Sequence, residues 1–127
     1  MINIVRKDFE IHVTPLEKIE LSGSSIVVWL DDIHENRIKL NFKVFQALKV
    51  TTIDCVSMEK FYNKNCFVNG VFHRHILEME NSPWIEELRN NLVDDSADFL
   101  NKSRHFILPL QDNIIEIVAW NIELQKL

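Results

Sequence analysis

The stretch Arg104-His105-Phe106-Ile107-Leu108-Pro109-Leu110-Gln111-Asp112-Asn113-Ile114-Ile115-Glu116-Ile117-Val118-Ala119-Trp120 decides the fold. Apolar residues crowd both sides of a short polar break at Gln111, Asp112 and Asn113, so the chain reads as two strands folded back on each other. The second arm (Ile114, Ile115, Ile117, Val118, Ala119, Trp120) is apolar on both faces, the pattern of a strand covered above and below. Glu116 is the one charged residue in that arm, and a carboxylate so placed needs a partner.

Working back from this hairpin, Ser82-Pro83-Trp84 has the chemistry of a helix start. The serine caps free amides, the proline fits the first helical position, and Glu86 and Glu87 sit where the helix dipole favours negative charge. Trp84, Leu88 and Leu92 recur at four-residue spacing with Ile85 beside them, which predicts a helix over about residues 83–93 laid on a sheet. Ile26 to Leu30 and the alternating Ile38, Leu40, Phe42 and Val44 flank a polar loop and predict a second hairpin. Alternation is lost beyond Phe45, and a bend or bulge near Gln46 to Lys49 reconciles the pattern with a continuing strand. Val5 to Val13 alternates as a half-buried strand does, and Leu16 to Leu21 predicts a short strand ending at Ser22-Gly23-Ser24-Ser25. Residues 54–69 read as a helical turn and loop, and Cys66 to Met79 as a strand interrupted at Asn69-Gly70. The expected architecture is α+β, a mostly antiparallel twisted sheet of about six to eight strands with one main helix on one face.

Composition narrows the function classes. With 127 residues and 46% hydrophobic content, residues 1–127 are expected to form a single globular domain around one core. A net charge of -5 argues against nucleic acid and suits a basic protein partner. Charges near the N-terminus (Arg6, Lys7, Asp8) stand where a secretory signal would have its apolar core, and no apolar run reaches the ~20 residues of a membrane span. A cytoplasmic location away from membranes is therefore expected, with Cys55 and Cys66 as reduced thiols.

No motif names a reaction. Two glycines, Gly23 and Gly70, cannot build a phosphate-binding loop. His73 and His75 fall on one side of a strand and could face a metal, but no third ligand is local, and a solvated or partner-facing pair is the competing reading. Cys55 and Cys66 lack a recognisable catalytic neighbourhood. No catalytic residue, cofactor or metal is expected. The acidic groups Asp31, Asp32 and Glu35, then Glu78 and Glu80, then Asp94, Asp95 and Asp98 form a candidate surface for a basic partner, against the alternative of plain solubilising charge. Trp29, Tyr62 and Trp84 are the candidate aromatic anchors beside them.

Three segments carry a resemblance: Phe72-His73-Arg74-His75-Ile76-Leu77-Glu78-Met79-Glu80-Asn81-Ser82-Pro83-Trp84-Ile85, Arg104-His105-Phe106-Ile107, and Asp112-Asn113-Ile114-Ile115-Glu116-Ile117-Val118-Ala119. Together they resemble small bacterial immunity proteins of polymorphic or contact-dependent toxin systems, in which a strand ends in Asn-Ser before a helix-opening tryptophan. The resemblance implies a non-enzymatic inhibitor of a toxin domain, a nuclease or another cytoplasm-acting enzyme. It also implies structural roles for Ser82 and Trp84 at the helix start, for His105 on the next strand and for Glu116 on the last. His105 is the expected partner of Glu116 across the hairpin, with Arg74 and Arg104 as alternatives. Pro109 suggests an edge or bulge in the strand that holds His105. The competing expectation is a small ligand-binding, metal-binding or enzymatic α+β domain with His73, His75 or His105 in a polar role.

Overall fold

The computed structural model describes residues 1–12, 18–61, 63–92 and 98–127. Seven strands make one antiparallel sheet: β1 (Ile2–Ile4), β2 (Lys18–Ser22), β3 (Ser25–Asp31), β4 (Arg37–Thr52), β7 (Leu77–Met79), β8 (Arg104–Pro109) and β9 (Asn113–Lys126). Their order is β1-β7-β8-β9-β4-β3-β2, which places the doubly apolar arm, β9, at the centre. A separate hairpin joins β5 (Phe67–Val68) and β6 (Val71–Phe72) through Asn69 and Gly70, whose φ values of 52° and 78° suit a tight two-residue turn. One α-helix, α1, runs Pro83–Asn90. This is the expected α+β architecture.

Both faces of the central strands are buried, as the composition of β9 requires. Ile115, Ile117 and Ala119 face a cluster with Phe106, Leu108, Leu40 and Phe42, in which the Phe42 and Phe106 rings lie 5.5 Å apart. Ile114 points the other way and joins Ile107, Leu77, Phe61 and Cys66. Three short 3-10 turns, Ile53–Cys55, Met58–Phe61 and Lys64–Cys66, bring the second cluster its cover. Burial pushes the Cys66 thiol pKa up, and both cysteines are free.

Three local expectations are corrected. Of the alternating run Val5 to Val13, residues 5–12 are not a strand of the sheet; apart from a bridge between Ile11 and Asp32 they are a connecting segment, while Val13 and, in the next expected strand, Leu16 lie outside the described residues. The alternation arises because Phe9 and Ile11 plug the first cluster. The segment also ties the sheet's two sides together: the Val5 and Ile11 amides donate to the carbonyls of Ile76 and Arg74, while His12 N donates to Asp31 O and Ile33 N to Glu10 O. Cys66 to Met79 is broken into the small hairpin, an irregular run at residues 73–76 and β7. The α-helix ends at Asn90, a residue with poor helix propensity, so Leu92 lies beyond it; Val93 falls outside the described residues.

The bulge expected near Gln46 is present, as a register shift between Phe45 and Ala47 opposite Ala119 and Val118. Pro109 ends β8, and because β7 pairs only with residues 105–107, its missing N–H faces no strand on that side. Pairing with Ile114 of β9 is retained.

Candidate functional site

The residues that carry the resemblance converge. His105 and Glu116 sit diagonally across the β8–β9 pair, since Ile107 is opposite Glu116 and His105 opposite Val118, so both side chains emerge on the face of the second cluster. His105 Nε2 lies 2.9 Å from Glu116 Oε1, and its Nδ1 lies 2.7 Å from Ser82 Oγ. Ser82 Oγ also accepts from Ile85 N at 3.2 Å, which caps α1. One proton arrangement satisfies the whole chain: the serine hydroxyl donates to Nδ1, and Nε2–H donates to the carboxylate. Trp84 stands edge-on to the imidazole with centroids 5.2 Å apart. His105 and Glu116 are 3% and 7% exposed, so this is an interior polar network fixed from three directions.

The partner expected for Glu116 is thus the one found, and the two arginines act elsewhere. Arg104 forms a two-pronged pair with Glu78 at 2.7 and 3.0 Å, which raises its own pKa, and stacks 4.7 Å over Phe106. Arg74 lies 5.8 Å over the Phe72 ring. A further cation escaped the sequence reading. Lys49 is opposite Glu116 in the β4–β9 register, with Nζ 4.0 Å from Glu116 Oε2 and 4.4 Å above the Trp84 ring. The signal lies in the bulge, because a one-residue slip at Gln46 decides which face Lys49 takes.

Beside this network a cavity of about 360 Å3 opens between α1, the turns of residues 53–61 and the sheet. Trp84, His105, Glu116, Lys49, Cys55 and Phe61 are among its lining residues. A larger groove of about 640 Å3 also touches Ser82, but its charges are spoken for, Glu78 by Arg104 and Glu86 by Arg89.

The candidate acidic surface is spread out. Asp31 accepts from Arg37 Nε at 2.7 Å. Asp32 accepts from the amides of His34 and Asn36, each at 2.9 Å, and from Asn36 Nδ2 at 3.2 Å. Desolvation there opposes ionisation, yet these hydrogen bonds outweigh it and hold the Asp32 carboxyl below its ordinary range. Glu35 is exposed at the loop tip with φ 63°. Glu78 and Glu80 belong to β7 and the turn after it, with three strands between β7 and β3 in the sheet order, and Glu80 accepts from Asn3 Nδ2 at 2.6 Å. Trp29 is half-buried between Lys18 and Lys39, at 4.7 and 5.9 Å. Asp94, Asp95 and Tyr62 lie outside the described residues; Asp98 opens the 3-10 turn Asp98–Lys102, and its side chain is not described.

His73 and His75 do not act as a pair. His73 Nδ1 is 3.0 Å from the Glu10 carboxylate, and His75 Nδ1 is 2.8 Å from Phe9 O. Among the described residues no group of three or more histidine, cysteine or acidic side chains is placed to hold a metal, and no helix is long and apolar enough to cross a membrane. No family model, curated protein or solved structure matches the chain.

Proposed function

We propose that this protein is an immunity protein, a non-enzymatic inhibitor that binds a basic, cytoplasm-acting toxin domain and protects the cell that makes the toxin. The observation that carries this reading is the convergence of Ser82, Trp84, His105 and Glu116, the residues of the resemblance, from three separate segments into one unit, a hydrogen-bonded Ser82–His105–Glu116 chain with Trp84 packed edge-on against it. Such a unit gives the motif a physical purpose: it fixes α1 to the sheet and leaves the surrounding surface free to vary with the toxin. The net charge of -5 suits a basic partner and speeds encounter with it. The test is co-expression with the toxin domain encoded immediately upstream. Rescue of growth and co-purification of a stoichiometric complex are expected. Absence of an adjacent toxin gene, together with no rescue from any co-expressed toxin, overturns the reading.

One observation favours a second reading, a small enzyme. Ser82, His105 and Glu116 form a serine–histidine–acid chain beside a cavity. The geometry is inverted relative to serine hydrolases, where the hydroxyl meets Nε2 and the acid meets Nδ1, and Ser82 is only 4% exposed while its oxygen caps a helix. A fluorophosphonate probe that labels the wild type and spares a Ser82→Ala variant would establish this alternative; an unlabelled wild type removes it.

A further inference from the structure

Glu116 divides its two oxygens between two tasks. Oε1 is held by His105, which Ser82 fixes in turn, so the carboxylate cannot rotate freely. Oε2 faces the Lys49 ammonium at 4.0 Å, too far for a hydrogen bond. Glu116 is only 7% exposed and lines the cavity, so an oxygen served at that distance is a strong acceptor left open to a closer donor. Lys49 is a loose occupant of the position: its side chain is 48% exposed, and it rises from the sheet to lie 4.4 Å over Trp84.

The slot therefore already has the two elements that select a planar cation. A carboxylate forms one wall and an aromatic face the other, with a cavity of about 360 Å3 leading in. An ammonium on a flexible stem satisfies this arrangement only in part. A guanidinium offers a flat fork of N–H donors to the carboxylate and a face to the indole, and it is the more easily desolvated of the two cations. The remaining charges around the cavity, Glu87 and Lys60, are both exposed and of opposite sign. Because the hydrogen-bonded chain from Ser82 presets the carboxylate, a ligand entering here orders little of the protein.

We infer that this cavity receives an arginine side chain of the partner protein, its guanidinium on Glu116 Oε2 and against Trp84, with the Lys49 ammonium moved outward. The source of that arginine rests on the toxin-binding reading; the cation site itself does not. The inference also widens the role of Glu116, whose reading from sequence was structural alone.

Titration of the purified protein with N-acetyl-arginine methylamide, followed by NMR at the Trp84 indole and His105 imidazole, tests the site without any toxin. Saturable shifts are expected with this probe, weaker ones with the lysine analogue and none with the neutral citrulline analogue. Two changes at the exposed Lys49 leave the core untouched and should act in opposite directions. Lys49→Ala vacates the slot and tightens probe binding severalfold, whereas Lys49→Arg fills it and weakens binding about tenfold. Equal shifts from the citrulline analogue, or no shift in the Lys49→Ala protein, overturn the site while leaving toxin neutralisation as a separate result. If the probe binds as expected but the affinity for the cognate toxin is the same in Lys49→Ala and Lys49→Arg proteins, the partner arginine is overturned. If the probe binds and no toxin is neutralised, the toxin-binding reading fails and takes the partner arginine with it.

Discussion

In the β8–β9 hairpin a carboxylate is held by His105, 11 residues away, and faced by Lys49, 67 residues away, whereas in the β3–β4 hairpin the carboxylates of Asp31 and Asp32 find partners within six residues. Glu116 is buried against His105, and its retention depends on strand register, helix capping and the bulge in β4 all being correct at once. Asp31 and Asp32 are part-buried, and their bonds to Arg37, Asn36 and His34 belong to the loop itself. The first arrangement reports on the whole fold. The second staples one turn, and it leaves less free acidic charge for a partner than a count of carboxylates suggests.

The difference predicts a steep ranking of mutational costs. His105→Ala should have the largest effect, because it strands the Glu116 carboxylate and the Ser82 hydroxyl together. Leaving a buried carboxylate uncompensated in this way costs about 3–5 kcal/mol, read from the midpoint of urea unfolding. Asp31→Ala, which removes a partly exposed ion pair, should cost below about 1 kcal/mol in the same assay. Similar losses in the two variants would mean that the buried network holds the fold no more firmly than the loop staple does. Glu116→Gln keeps the shape and loses a charge-assisted bond, so a loss of about 1–3 kcal/mol is expected. An unchanged midpoint would mean that His105 is held by Ser82 alone. Ser82→Ala removes the helix cap and the Nδ1 partner, and about 1–2 kcal/mol is expected, with exchange protection of the α1 amides falling first.

Those sites also mark how far the sequence could be read. The cap at Ser82, the hairpin turns and the doubly buried β9 were legible because each is written in neighbouring residues. The pairing of His105 with Glu116 was legible because one lone acid in an apolar run has few candidates to answer it. The segment before β2 was not, since Phe9 and Ile11 alternate like a strand while serving as a plug. Nor was Lys49. Its place beside Glu116 depends on which residue bulges, and alternation in the sequence blurs at that very point. The cavity needs, in addition, the cover supplied by residues 53–61, whose short turns carry no periodic signal.

The smallest predicted effect falls in the β3–β4 loop and is read through pH. The folded-state pKa of Asp32 lies below the ordinary carboxylate value, because the amides of Asn36 and His34 and the Asn36 side chain together outweigh desolvation. A carboxyl of this kind binds its proton less readily in the folded chain than in the unfolded one. Its contribution to stability is therefore complete above the unfolded carboxylate range and is lost as pH falls through the lower folded value. Asp32→Asn retains one acceptor oxygen for the turn and removes the titration. The stability gap between wild type and Asp32→Asn, followed by urea unfolding from neutral pH downward, should shrink as acid is added and vanish once Asp32 is protonated in the wild type. A gap that stays constant across that range would mean that Asp32 takes up its proton equally readily in the folded and unfolded chain, so that the loop is held by hydrogen bonds indifferent to its charge.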